Sequence, residues 1–408
     1  MTGTRVPEPA TDGVARLTWL LLAATGVGFL PWFAISALGP VLIQAFDASA
    51  VLPGRLVGVL FLTAAVASAV LGPVMARIGA ARTVAAAFVV GAASMAGMAV
   101  APSVLALTAV VAVAGLALAV PLPATAALVA QRVPVSGRGR VIGLAQSGQQ
   151  VGALTAGFAL PAIAAATSWR WSFAAAALVA TALAVVAIGP ARRDVAPGRH
   201  RGVERAPVWL LIYAMLMSSW TVSSVAFLPT FGALEHGFST TAAGGLVTVI
   251  GAFAIVGKIA WGRLAGAVSQ AAIPPIALAL GTGVAVTIVA SSTLIGAWTV
   301  WLGAAALGLT ALGWPVVTLA LVARQWSPSA AGKVSGQVLA GGFTGSAVGP
   351  MLFGWLLDVS SFTLAWWSGV GVAVAAAGLV WIVHLSAFAL STSRTVSSTQ
   401  PPGGHRHE

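Results

Sequence analysis

Twelve apolar stretches, each about the length of a bilayer-crossing helix, follow one another along this chain with short, mostly basic breaks between them. They cover 18–43, 56–76, 83–101, 104–130, 141–165, 171–190, 207–231, 240–265, 271–291, 295–323, 334–357 and 362–388. Hydrocarbon offers no partner for a free backbone N–H or C=O, so a run of about 20 apolar residues crosses it as helix. An all-α membrane protein is expected. Charged residues make up only 7% of the 408 positions, against about 25% in a soluble domain, too few to cover a surface facing water. The first stretch is too long for a signal-peptide core and no Ala-x-Ala cleavage pattern ends it, so it reads as a retained helix.

The breaks set the topology. Of 20 Lys and Arg residues, only Arg55 and Arg170 fall on one side; the other 18 fall in the tails, in the alternate connections or, like Lys258 and Arg263, in the span ends next to them. Asp47, Glu235 and Asp358 lie on the side poor in bases. The excess of bases marks the cytoplasmic side, which puts both termini in the cytoplasm of a multi-pass protein of the cell membrane. The net charge of +12 is spread over these breaks rather than gathered in a patch, so it is a topology signal and not a nucleic-acid footprint. There is no cysteine, hence no disulfide or thiolate metal site. His405 and His407 sit in a polar tail that does not fix ligand geometry. No metal or cofactor is expected, and a monomer is.

The chain also repeats itself. Val129-Ala130-Gln131-Arg132, moved forward by 193 positions, lands on Val322-Ala323-Arg324-Gln325. Gly139-Arg140-Val141-Ile142-Gly143 lands on Gly332-Lys333-Val334-Ser335-Gly336, Gly148 on Gly341 and Gly152 on Gly345. Two parallel halves, each of six helices and related by a pseudo-two-fold axis, are expected; such proteins read first as secondary transporters with the solute site between the halves. The expected division is a tail at 1–16, a first bundle at 17–190, a linker at 191–206 rich in Arg, Pro and Gly, a second bundle at 207–390, and a disordered tail at 391–408.

The second break reads Gly72-Pro73-Val74-Met75-Ala76-Arg77-Ile78-Gly79-Ala80-Ala81-Arg82. It resembles the Gly-x-x-x-Asp-Arg-x-Gly-x-x-Arg signature of the major facilitator superfamily through Gly72, Arg77, Gly79 and Arg82. A weaker copy follows span eight, Gly262-Arg263-Leu264-Ala265-Gly266. In that family the carboxylate of the signature helps hold the halves together; here the two acidic positions are Ala76 and Gly266, so that hold is missing. The resemblance covers 17–390 and implies the superfamily fold. The run Pro31-Trp32-Phe33-Ala34-Ile35-Ser36 is similar to the cyanate and nitrate permease-like branch. Span eleven, with Gly341, Gly345, Gly349, Pro350 and Gly354, looks like the glycine–proline motif that antiporter branches carry in span five. Glycines four apart share a helix face and allow close approach.

Polar groups in hydrocarbon are costly and usually face a cavity. The solute-site candidates are Trp32 and Ser36 in span one, Gln146, Gln149 and Gln150 in span five, Trp220 and Ser223 in span seven, Trp314 in span ten and Gln337 in span eleven. The resemblance places spans one, four, seven and ten around the cavity, with five and eleven beside them. The candidates for conformational change are Gly72, Arg77, Gly79, Arg82, Lys258, Gly262, Gly345, Gly349 and Pro350. Lys258, in span eight, is expected to snorkel to the nearer interface. No Asp or Glu lies in the middle of any span, so the usual buried carboxylate of proton coupling is missing, and no convergent set of His, Asp, Glu and Ser supports an enzyme. The function expected is transport of a small organic solute, neutral or weakly charged, by alternating access. A drug or metabolite efflux pump of the same fold, or a transporter-like sensor that no longer cycles, is the alternative.

Overall fold

The computed structural model describes residues 11–187 and 205–398, and every regular element among them is helical. The first half holds α1 (Thr11–Ala37), α2 (Gly39–Ala45), α3 (Leu52–Ile78), α4 (Ala80–Val100), α5 (Val104–Ala119), α6 (Pro121–Arg132), α7 (Val135–Ala166) and α8 (Trp169–Ala187). The second holds α9 (Val208–His236), α10 (Thr240–Ala267), α11 (Ile273–Ala290), α12 (Ser292–Ile295), α13 (Trp298–Leu309), a 3-10 turn (Ala311–Gly313), α14 (Trp314–Gln325), α15 (Pro328–Val359) and α16 (Phe362–Ser398). Joined across their short breaks, α1 with α2, α5 with α6, α11 with α12 and α13 with α14, they form twelve rods among the described residues. Ten spans are long and apolar enough to cross a membrane. The other two rods are α3, whose apolar part is Leu52–Ser68, and α15, 32 residues long. Most of the expected linker lies outside the described residues, as does the end of the tail. The last helix, α16, continues past the expected boundary at 390 as far as Ser398; no Pro or Gly stands between Gly378 and Pro401 to end it.

The breaks have chemical causes. Pro121 and Pro123 open α6, and Pro315 stands at the start of α14; proline has no N–H to give the preceding turn. Carbonyls freed at the second break find donors on neighbouring helices. Thr221 Oγ1 of α9 donates to Ala311 O at 2.9 Å, and Trp261 Nε1 of α10 donates to Leu309 O at 2.8 Å. Broken helices survive in hydrocarbon only with such replacements.

The repeat read from the sequence is a repeat of structure. Shifted by 193 positions, α6 falls on α14 and α7 on α15 with both ends in register. In each half the long helix after the basic loop packs along the half's first helix. Gly148 and Gly152 of α7 meet the backbone of α1 at Leu22 and Gly26, while Gly341 and Gly345 of α15 meet that of α9 at Leu211 and Met215. The outer pairs α4 with α8 and α11 with α16 match in the same way.

Apolar packing divides the molecule unevenly. One large cluster draws on both halves, including Trp32, Phe33, Leu56 and Phe61 from the first and Trp220, Phe227, Ile250 and Phe353 from the second. A second cluster belongs to the first half alone, around Leu21, Val84, Leu128 and Val141. A third belongs to the second half alone, around Leu210, Tyr213, Val317 and Val334. The shared cluster lies toward the end that carries Asp47, Glu235 and Asp358, and the two separate ones lie toward the end with the basic loops.

Candidate functional site: a cleft sealed at one end

At the sealed end α3 wedges against α9 and α15. A Cβ on Gly54 would lie 2.8 Å from Pro350 O and nearer still to the Phe227 ring; one on Gly58 would lie 2.7 Å from Met351 Cγ. From the other side, a Cβ on Gly354 would lie 2.6 Å from Val51 Cγ1. Pro350 thus stands where the halves touch. The rim carries an ion pair between halves, Arg55 Nη2 to Asp358 Oδ2 at 3.3 Å. The two side chains are 65% and 43% exposed, so the pair is worth about 0–1 kcal/mol. Arg55→Glu should therefore ease this end open slightly, Asp358→Arg in the same chain should restore closure, and salt near 1 M should erase the difference; reactivity of a cysteine at the buried Val51 reads all three. The other base at this end, Arg170, is held by its own half. It donates to Ala99 O at 3.0 Å and lies 4.4 Å from the Trp169 ring centre.

At the basic end Arg138 and Arg324 each bond within their own half. Arg138 donates to Val133 O and Ala130 O, and Arg324 to Ala265 O, Val268 O and Ser269 O. The repeat glycines Gly139 and Gly143 of α7, and Gly332 and Gly336 of α15, have no atom within 4 Å of a Cβ placed on them. Gly79 has φ 88° and joins α3 to α4, a conformation that favours glycine. Gly72 lies in the last two turns of α3, and Arg77 and Arg82 are exposed on either side of the turn. Gly262 sits in the last turns of α10, where a Cβ would make only an ordinary 3.5 Å contact with Val316.

Between the ends, α7 and α10 cross from opposite halves. Gly157 lies against Gly244, and Ala153 against Gly251. Gln146, Gln149 and Gln150 continue that face of α7 at helical spacing. Lys258 Nζ of α10 donates to Gln149 Oε1 at 2.9 Å. The expected snorkelling is corrected: the amide on the facing helix offers an acceptor, and the ammonium takes it. Gln150 is buried and its Nε2 has no partner; Gln146 is half-buried. Trp32 is buried at the edge of this zone, stacked on Phe33 at 4.4 Å and edge-on to Phe61 at 5.4 Å, with Nε1 unpartnered.

The remaining candidates take other places. Ser36 and Ser223 are buried and bond back to Trp32 O and Ser219 O of their own helices. Trp220 packs on Phe353 and Trp366 and fills the space above Gly369, among α9, α15 and α16. Trp314 presses on Gly342 of α15 within the second half. Gln337 Oε1 accepts from Ala206 N at 2.6 Å and ties down the start of α9. Gly345 and Gly349 pack on α9 of their own half, at Met215, Ser218 and Ser219, not across the cleft. Sequence reading missed Gly54, Gly58 and the Arg55–Asp358 pair. One signal was available: those two opposite charges stand at the same end of spans two and eleven.

Two helical halves that share one apolar cluster at one end and keep separate clusters at the other, with ten spans fit to cross a bilayer, define a multi-pass membrane protein. Residues 20–314 match the model of the Major Facilitator Superfamily, and the chain belongs to that family of solute transporters, which work by alternating access. No curated protein matches the sequence. Solved structures share the fold at low identity. A variant of the nucleoside transporter NupG is 13% identical with a TM-score of 0.74, over 90% of this chain and 99% of that one. A D-xylose–proton symporter is 15% identical with a TM-score of 0.74, over 90% and 97%. A bacterial homolog of the human lysosomal transporter Spinster, inward-facing and unoccupied, is 16% identical with a TM-score of 0.69, over 97% and 100%.

Proposed function

We propose that the protein is a permease of the cytoplasmic membrane for a small organic solute, that both termini lie in the cytoplasm, and that this conformation is open to the cytoplasm. The observation that carries the reading is the division of the apolar packing: one cluster spans both halves at the acid-bearing end, and each half has its own at the basic end. The excess of bases around the open end supports its cytoplasmic placement. The bundles run over 17–190 and 207–390, with the linker at 191–206 joining them on the cytoplasmic side, and the protein acts as a monomer. The likeness to nucleoside and D-xylose transporters supports a small polar solute. The likeness of Pro31–Ser36 to the cyanate and nitrate permease-like branch is consistent with a compact one, and Lys258 is the cation it would meet.

Ala76 and Gly266 fit the resting state. The carboxylate that would help hold the basic end shut is missing from both signature loops, while the one ion pair between halves among the described residues holds the opposite end. The test is thermal stability of the detergent-purified protein against small acids, neutral metabolites, sugars, amino acids and cationic drugs, followed by flux in liposomes. A solute at a hundred times its Kd stabilises by about 2.7 kcal/mol. One class giving a saturable shift and a flux is expected; no shift and no flux with any class would contradict the reading.

A further inference from the structure

Lys258 is the unusual charge of this fold. It lies nine residues before the end of α10 at Ala267, about 13 Å along the helix. The crossing of α7 and α10 fixes where it stands: with Pro161 beside Gly244, Gly157 beside Thr248 and Ala153 beside Gly251, position 258 falls opposite Gln146 and Ser147. Its ammonium bonds Gln149, two to three residues, about 3–4 Å, farther from the open end. The stem therefore points away from the nearer water, against the usual preference of lysine.

Among the described residues no carboxylate is bonded to it. Gln149 gives an amide oxygen, not a carboxylate. Of the carboxylates whose side chains are described, Asp47, Glu235 and Asp358, all are at the sealed end, and the one ion pair among described residues does not involve Lys258. Beside Gln149, the buried Gln150 carries an amide N–H group without an acceptor. The crossing thus holds a cation and a spare donor. In a site of low dielectric, an unbalanced ammonium is a strong attractor of one negative charge.

We propose that Lys258, with Gln150 beside it, binds the charged oxygen of a small monoanionic solute such as a monocarboxylate, and that the solute replaces Gln149 as the partner of the ammonium. The single cation sets the single charge. Because Gln149 and Lys258 belong to opposite halves, their bond joins the halves when no solute is bound, and an anion on Lys258 loosens that joint. This rests on the reading of the cleft as a transport path.

Thermal stability of the purified protein tests it, with sodium formate, acetate, lactate, benzoate and nitrate set against acetamide and benzamide at constant ionic strength. At least one anion should give a saturable shift and the amides none. Lys258→Met should weaken that anion by about tenfold or more. Gln149→Leu, which removes the competing acceptor and keeps the charge, should bind it at least as tightly as the unmodified chain; a merely structural pair would not give this split. No anion shifting the unmodified chain, or Lys258→Met binding like it, overturns the proposal. A neutral solute that crosses liposomes while no anion binds leaves the transport reading standing and removes this one. No solute of any charge binding or crossing removes both.

Discussion

Gly54→Leu should force the sealed end apart while leaving each half folded. The new side chain would have to enter the space already filled by the Phe227 ring and the Pro350 carbonyl, on two helices of the other half. Overpacking of this kind costs about 1–3 kcal/mol. Here the strain is relieved by motion between halves, because α3 keeps its contacts with α5 and α4 in its own half. Each 1.4 kcal/mol is about tenfold in an equilibrium, so a strain of about 2 kcal/mol moves the balance between the two open states by about thirtyfold. A cysteine at Val51, buried at the seam against Gly354, should become more reactive, and flux should stop. An unchanged labelling rate with normal flux would mean that α3 does not seal this end.

Gly345→Leu should do something different: it should cost folded protein. A Cβ there would lie 2.8 Å from the Met215 carbonyl carbon and closer to its oxygen and to the Ser218 hydroxyl. Those atoms belong to α9, the helix that α15 packs along within the second half. Backbone cannot swing aside as a side-chain tip can, and Ser218 Oγ is already bonded to Gly342 O at 2.7 Å. The expected loss exceeds about 3 kcal/mol, the range of severe core substitutions. A low yield of monodisperse protein and a lowered melting midpoint would show it. A stable variant that binds solute normally but fails to transport it would instead make Gly345 a moving part.

These two glycines show what was legible in the sequence and what was not. Spans could be read because hydrocarbon permits so few backbone states. The repeat could be read because each half needs glycines at the same steps where α7 meets α1 and α15 meets α9. Which helix a glycine faces could not, since spacing marks a face but names no neighbour. The same limit explains Trp220. Helix α9 spreads its Ser and Thr residues around the axis, so no single polar stripe marks its inner side, and the ring points into its own half. Gln337 looked like a cavity amide and is tied to Ala206 N, 131 positions away. The glutamines of α7 were the readable part of the site: three amides close together on one face of a bilayer-crossing helix are hard to bury without a polar task. Lys258 was visible as a charge, but its partner across the cleft was not.

The account rests on the two ends opening and closing in turn. The chain has no cysteine, so spin labels can be placed without background. One pair would sit at Ser49 and Glu235 on the sealed end and another at Arg77 and Arg263 on the basic end, all exposed positions. Distances between labels would be measured by pulsed electron resonance in lipid nanodiscs, with and without Gly54→Leu. The account predicts that the substitution lengthens the first distance and shortens the second. Distances that stay fixed at both ends, or that grow together, would contradict it.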